Sequence, residues 1–239
     1  MNRQARATTK ELWSFLEKRV FPVSSTETRF NQYEDTILDL DKPNAAEIRR
    51  ENLRKYVESQ NWQSTHLIVG EAPGPWGCRF SGVPFTSEAQ LLKGELSFCG
   101  KQSSKNNEPY SAKGAEVFWK VMLPYHRKGV EFFVWDCVPF HPHYEGKPLA
   151  PIRAPTSSEL HECSDILLDI IRITKPQNVV AVGRKAERAL ATVNIKSEYV
   201  RHPSRGGARA FKKGMISVFK SHERRRARWK ERMLRFVIF

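Results

Sequence analysis

Leu67-Ile68-Val69-Gly70-Glu71-Ala72-Pro73-Gly74 is the stretch that decides the fold. An apolar run enters a Gly-x-x-Pro-Gly turn, as a parallel strand buried on both faces does when it stops above its sheet. Gly70 and Gly74 can take positive φ or admit another backbone, and Pro73 fixes φ between them. Such a turn aims Glu71 and the neighbouring amides into the crevice at the carboxyl end of an open α/β sheet, where ligands bind. Gly82-Val83-Pro84-Phe85 follows closely, and Trp135-Asp136-Cys137-Val138-Pro139 and Arg201-His202-Pro203-Ser204 come far downstream. These four stretches are expected to form one site.

Around this stretch, strands alternate with helices. Residues 1–62 read as a helical segment packed on the same domain: Leu12, Phe15, Leu16 and Val20 share a helix face, and Asn44 caps a second helix running to about residue 60. The loop-rich stretch 73–110 is long enough to expect function. A helix over 114–123 turns Val117, Phe118, Val121 and Met122 inward, and 132–138 reads as a second buried strand. A polar loop fills 141–155. Thr156 and Glu159 fit a capping box for a helix to about residue 173. Strands are expected over 178–182, ending at Gly183, and over 199–201, with a helix at 185–191 between them. Phe211, Met215, Val218 and Phe219 form a helical stripe leading into a basic tail. The pattern predicts a three-layer αβα fold around a mostly parallel four-stranded sheet, with the α/β core at 63–221 and a basic C-terminal helix or tail at 222–239.

The chain has 239 residues, 40% of them hydrophobic, enough for one α/β domain with a full core. Forty Lys and Arg against 26 Asp and Glu give a net charge of +14. The cations cluster at Arg205, Arg209, Lys212, Lys213 and Lys220 and in Arg224-Arg225-Arg226-Ala227-Arg228. That distribution points to a polyanionic partner, most simply nucleic acid. No apolar run approaches membrane-spanning length and no signal core follows the N-terminus, so a cytoplasmic, prokaryotic setting and no membrane partner are expected. Cys78, Cys99, Cys137 and Cys163 contain no Cys-x-x-Cys pair, so free thiols are expected rather than disulfides or zinc. The glycine turn lacks a Gly-x-x-x-x-Gly-Lys pattern and has no acidic cluster for a metal, which argues against a nucleotide or phosphate-ester hydrolase.

Gly70-Glu71-Ala72-Pro73-Gly74, Gly82-Val83-Pro84-Phe85, the strand ending at Asp136 and His202-Pro203-Ser204 together resemble, in order, the motifs of the uracil-DNA glycosylase superfamily. The Gly-Glu-Ala-Pro-Gly version is most like families four and five, and the resemblance covers about residues 64–210. It implies a monofunctional enzyme that hydrolyses the bond between a flipped-out base and its deoxyribose, leaving an abasic site. It also implies roles for individual residues. Phe85 matches the stacking position, and Gly70, Ala72, Gly74 and Asp136 surround the base. His202 matches the catalytic histidine, a donor to charge growing on the departing base. Glu71 is the candidate for positioning water or stabilising the cationic sugar; where the best-known branch has an aspartate one residue later, this chain has Ala72. Ser204, Arg205, Gly206, Gly207 and Arg209 are expected at the DNA backbone. No obligate protein partner follows from the resemblance, and a monomer is expected.

Three departures from the family pattern matter. Relatives with Gly-Glu-Ala-Pro-Gly often bind an iron–sulfur cluster through four cysteines; Cys163 matches one ligand position, Phe140 stands at another, and residues 1–30 contain no cysteine. No cofactor and no metal are therefore expected. Where a leucine wedge usually follows His-Pro-Ser, this chain has Arg205-Gly206-Gly207, suited to filling the vacated stack or to binding phosphate. Asp136 stands where uracil-reading relatives carry asparagine. An ionised carboxylate offers only acceptors, which suits the exocyclic amine of cytosine better than the carbonyl of uracil. Gly74 replaces a tyrosine that shuts out groups on pyrimidine carbon five. The expectation is excision of cytosine-type or C5-modified cytosine bases, such as those of modified phage DNA. The alternatives are uracil repair, or a DNA-binding member without catalysis.

Overall fold

A computed structural model describes residues 2–63 and 66–237, with side chains described as far as residue 225. Its strands are β1 (Arg29–Phe30), β2 (His66–Gly70), β3 (Phe132–Asp136), β4 (His141–Pro142), β5 (Asn178–Val182) and β6 (Glu198–Val200). Its helices are α1 (Arg3–Arg19), α2 (Ala45–Glu58), α3 (Cys78–Ser81), α4 (Glu88–Leu92), α5 (Lys113–Arg127), α6 (Ser157–Glu162), α7 (Ser164–Thr174), α8 (Arg184–Thr192) and α9 (Ala208–Val237). Among the described residues, β3, β2, β5 and β6 lie side by side in that order, all parallel. The chain leaves β2 for one edge of the sheet, then returns to build β5 and β6 on the other side. The order therefore reverses at β2, the place where open α/β sheets form a ligand crevice.

Alternation along the strands divides the core into two layers. Leu67, Val69, Phe133, Trp135, Val179 and Ala181 face α1, α2, α7 and α8, burying Leu12, Leu16, Leu53, Val57, Ile170 and Leu190. Ile68, Val134, Val180, Val182 and Val200 face α5 and α9, burying Phe118, Met122, Phe211 and Met215. Every residue of β2 and β3 is buried, which is why those segments read as continuous apolar runs.

Several local features depart from the sequence expectations. The helix expected from Thr156 to about residue 173 is two helices, α6 and α7, meeting at Cys163. Its capping box forms as read: Thr156 N donates to Glu159 Oε2 at 2.7 Å, and Glu159 N donates to Thr156 Oγ1 at 3.2 Å. The expected loops contain α3, α4 and β4, and β4 pairs antiparallel, Phe30 opposite His141, with a strand β1 that lies within the segment 1–62 expected to be helical; these elements are too short to carry a periodic signal. The loop at 99–110 is pinned from within: the buried Glu88 carboxylate accepts from the amides of Ser103 (2.7 Å), Ser104 (2.9 Å) and Tyr110 (3.2 Å). Buried Asp41 holds Arg79 of α3 through two hydrogen bonds of 2.5 and 3.0 Å and lies 3.2 Å from Arg49 of α2. Helix α9 runs on through residue 222, where the basic tail begins, and Arg224 and Arg225 are exposed. Arg226, Ala227 and Arg228 of the basic run lie outside the described side chains.

Candidate active site

Each parallel strand delivers a group to one place at its carboxyl end. Gly70 closes β2 and Glu71 follows it; Asp136 closes β3, in register with Gly70. Gly183 follows β5, and His202 lies two residues beyond β6. The β2–β3 pairing continues past the strands: Cys137 N donates to Gly70 O at 3.0 Å and Val138 N to Glu71 O at 3.1 Å. Glu71 and Asp136 are thus fixed on neighbouring strand ends.

Gly70 is where glycine is required. A Cβ there would strike both Asp136 Oδ1 and the Phe85 ring. The Asp136 carboxyl therefore lies over the Gly70 backbone, beside the Phe85 edge. Phe85 has φ +51°, an unusual value for a bulky residue, and it is only partly buried. Its ring packs on Phe118 at 4.8 Å and faces His202 at 5.5 Å. Phe85, Asp136 and His202 are thus three sides of one small site, with the strained backbone of Phe85 presenting its ring to it.

Asp136 is 3% exposed. Burial, and then the nearby Glu71 carboxylate, push it up to about 8, which favours the neutral acid near pH 7. This corrects the sequence expectation of an acceptor-only carboxylate: a protonated carboxyl offers one donor and one acceptor.

His202 is held the opposite way. Burial first, then the charges of Arg201 and Arg205, hold it down to about 4. The N-terminus of α5 also approaches the ring, since a Cβ on Gly114 would lie 4.0 Å from Cε1, and that end of a helix disfavours a cation. Ser204 N donates to His202 Nδ1 at 3.2 Å, and Ser204 Oγ lies 2.8 Å from the same nitrogen. The imidazole is neutral and its proton is on Nε2.

Glu71 is half-buried against Gly183, which has φ +101°; a Cβ on Gly183 would sit 2.6 Å from Glu71 Oε1 and 3.6 Å from His202 Cβ. The carboxyl thus occupies the N-terminal end of α8, a favourable position for an anion. Burial raises its pKa, opposed by Lys185 and its amide and then by Arg205 and Arg201. Gly183 and Lys185 were not singled out from sequence as site residues. The available signal was a glycine ending an apolar strand, the same signal that marks Gly70.

The residues expected at the DNA backbone divide. Arg205 (φ +48°), Gly206 (φ +74°) and Arg209 are exposed beside the site. Ser204 is turned inward, to His202. Gly207 is buried: its amide donates to Ser204 O at 3.0 Å, and a Cβ there would collide with His202 O. Its amide is spent closing the His202 turn rather than available to a phosphate.

Ala72 packs on the core, and Gly74 is exposed with nothing within 4 Å of where a Cβ would stand. Both long loops meet this turn. His141 sets its two ring nitrogens against Pro73 O (2.8 Å) and Pro148 O (2.9 Å), joining the turn to the 141–155 loop. Tyr110, from the other loop, packs 5.3 Å from Trp76 and 4.4 Å from Phe80.

Phe140 and Cys163, at the two positions compared with cluster ligands, are buried in one hydrophobic cluster, so the side chains there do not fit an iron–sulfur site. Among the described residues no group of three or more His, Cys, Asp and Glu side chains is arranged to hold a metal ion.

Residues 57–236 match the family model described as the uracil DNA glycosylase superfamily. No curated protein matches the chain. Among solved structures, the chain is similar to wild-type SMUG2 of Pedobacter heparinus, with a TM-score of 0.63 and 17% identity over 91% of this chain and 98% of that one. That likeness is one of fold. With a family match across most of its length, its site built at the carboxyl ends of the sheet, the chain belongs to the uracil DNA glycosylase superfamily.

Proposed function

We propose that this protein is a DNA glycosylase that draws a pyrimidine out of DNA, stacks it on Phe85 and hydrolyses its N-glycosidic bond, acting on cytosine-type or C5-modified cytosine bases. The single observation that carries the reading is the Asp136 carboxyl over Gly70 at the edge of Phe85. A base stacked on that ring would turn its N3 and C4 edge to Asp136 and its O2 edge to Nε2–H of His202. The neutral acid accepts from the cytosine amine through its carbonyl oxygen and donates to N3 through its hydroxyl. Growing charge on O2 is met by a neutral donor with no reorganisation. Glu71, at the start of α8, faces the cationic sugar or its attacking water.

Open space at Gly74 supports tolerance of a C5 substituent. The two polar loops bordering that turn, joined to it through His141 and Tyr110, are suited to contact a hydroxymethyl group or a sugar. Cytosines so modified occur in some phage genomes, and an antiviral role follows from this reading.

Uracil is the second reading, and the protonation of Asp136 favours it: the same neutral acid donates to O4 and accepts from N3–H. Single-turnover release of uracil, cytosine and C5-modified cytosines from DNA, detected by alkaline cleavage of abasic sites, separates the two. Cytosine-type release is expected. Gly74→Tyr is expected to cut release of C5-modified cytosine by tenfold or more and leave unmodified cytosine within a few-fold. Release of uracil alone overturns the cytosine reading.

A further inference from the structure

The surroundings of Asp136 contain nothing to hold a negative charge. The groups that face it are Glu71 from the turn after β2, Tyr33 from the segment after β1, Cys78 from α3 and Cys137 next in the chain. Each becomes an anion when it ionises. The fully buried arginines Arg79 and Arg49 are committed to Asp41. His202, across the Phe85 ring, is neutral. No protein donor among the described residues hydrogen-bonds the carboxyl. Glu71 has α8 and Lys185 to offset its charge; Asp136, on the next strand, has neither.

A carboxyl in that setting keeps its proton until a base takes it. Cytosine brings such a base: beside its amine, N3 carries a lone pair. Uracil has N3–H at the same position and no lone pair to offer. We propose that Asp136 is a catalytic general acid, an inference that rests on the cytosine-type reading: its proton passes to N3 of the flipped base as the N1–C1′ bond breaks.

The bonding pair of N1–C1′ goes to N1 and spreads into the ring. The O–H bond of Asp136 breaks as N3–H forms, so the base departs neutral, as its N3–H tautomer. Asp136 is left as a carboxylate facing the positively charged sugar. Water adds to C1′, and its surplus proton passes to Glu71. After the base leaves, Glu71 loses that proton to solvent and Asp136 regains one. The acid is loaded at neutral pH, because burial and Glu71 push it up to about 8.

Leaving-group chemistry tests the step. Fluorine at C5 makes the N1 anion a better leaving group but N3 a weaker base. If the base departs protonated, 5-fluorocytosine is released by wild type no faster than cytosine. Acceleration of tenfold or more means departure as an anion and overturns the general acid, while the cytosine reading stands. Asp136→Ala is expected to lose cytosine release by roughly 10²–10⁴, the range of a positioned general acid. The same variant is expected to release 3-methylcytosine, which is already a cation and whose methyl group fits the space vacated by the carboxyl. A variant folded by circular dichroism that releases neither base overturns the proposal. Release of uracil and no cytosine-type base by wild type removes the substrate reading, and the general acid with it.

Discussion

The backbone amide of Ser204 points at Nδ1 of His202 from 3.2 Å. An amide can only donate, so this contact selects the tautomer with its proton on Nε2, the nitrogen left to face the site. His202→Ala is expected to slow single-turnover excision by roughly 10²–10³, as for a lost oxyanion donor. Ser204→Ala keeps the amide and is expected to cost only a few-fold. Because His202 is held down to about 4, its own protonation should not slow excision at pH 5.5, and an acid limb above about 4 belongs to Glu71, whose carboxyl burial raises. A limb near 6.5 from His202 itself would show that the imidazole is not held neutral.

Asp136 makes stability depend on pH in a definite direction. Its folded pKa is raised from 3.8 to about 8, so the folded state keeps a proton that the unfolded chain has lost. That contribution is fully present below 3.8 and is lost as pH rises through about 8. Asparagine has no such dependence. Asp136→Asn is therefore expected to melt above wild type at pH 8.5, with the gap closing toward pH 4. At this size each kcal/mol recovered is worth roughly 2–4 °C. A gap that does not change with pH would show that Asp136 titrates normally.

Gly183→Ala tests the contact with Glu71. The new Cβ meets Glu71 Oε1 at 2.6 Å, and alanine must adopt φ +101°. The backbone term alone is of order 1–3 kcal/mol. A lower melting temperature and slower excision are expected together, because Glu71 moves. A variant that loses stability while excising at the wild-type rate would remove Glu71 placement from the mechanism.

Exposed Arg205 and Arg209 are expected to neutralise phosphates. Affinity for undamaged duplex should fall steeply with salt, and each arginine replaced by alanine should reduce the slope of log K against log salt by about one. Base preference should stay the same. An affinity flat with salt would place the DNA elsewhere.

Much of the fold was legible because its signals are local. The apolar runs at Leu67–Val69 and 178–182 are continuous because their strands are buried on both faces, and Gly70 and Gly183 mark where each stops. The Thr156 capping box is satisfied within four residues. What was not legible lacked a period: two-residue strands, the short helices α3 and α4, and the break between α6 and α7 at Cys163.

The site divides along the same line. The sequence by itself determined which residue types arrive at the strand ends, since a glycine turn, a strand-end carboxylate and a His-Pro turn are each local. Their chemical states were decided by the tertiary structure. Asp136 is an acid rather than a carboxylate because β3 lies beside β2, bringing it next to Glu71 and out of water. His202 is a neutral donor because burial first, and then Arg201 and Arg205, disfavour a cation on a ring that Ser204 and Gly207 hold in place. Protonation depends on desolvation and on charges brought together from distant parts of the chain, and those distances exist only once the sheet has formed.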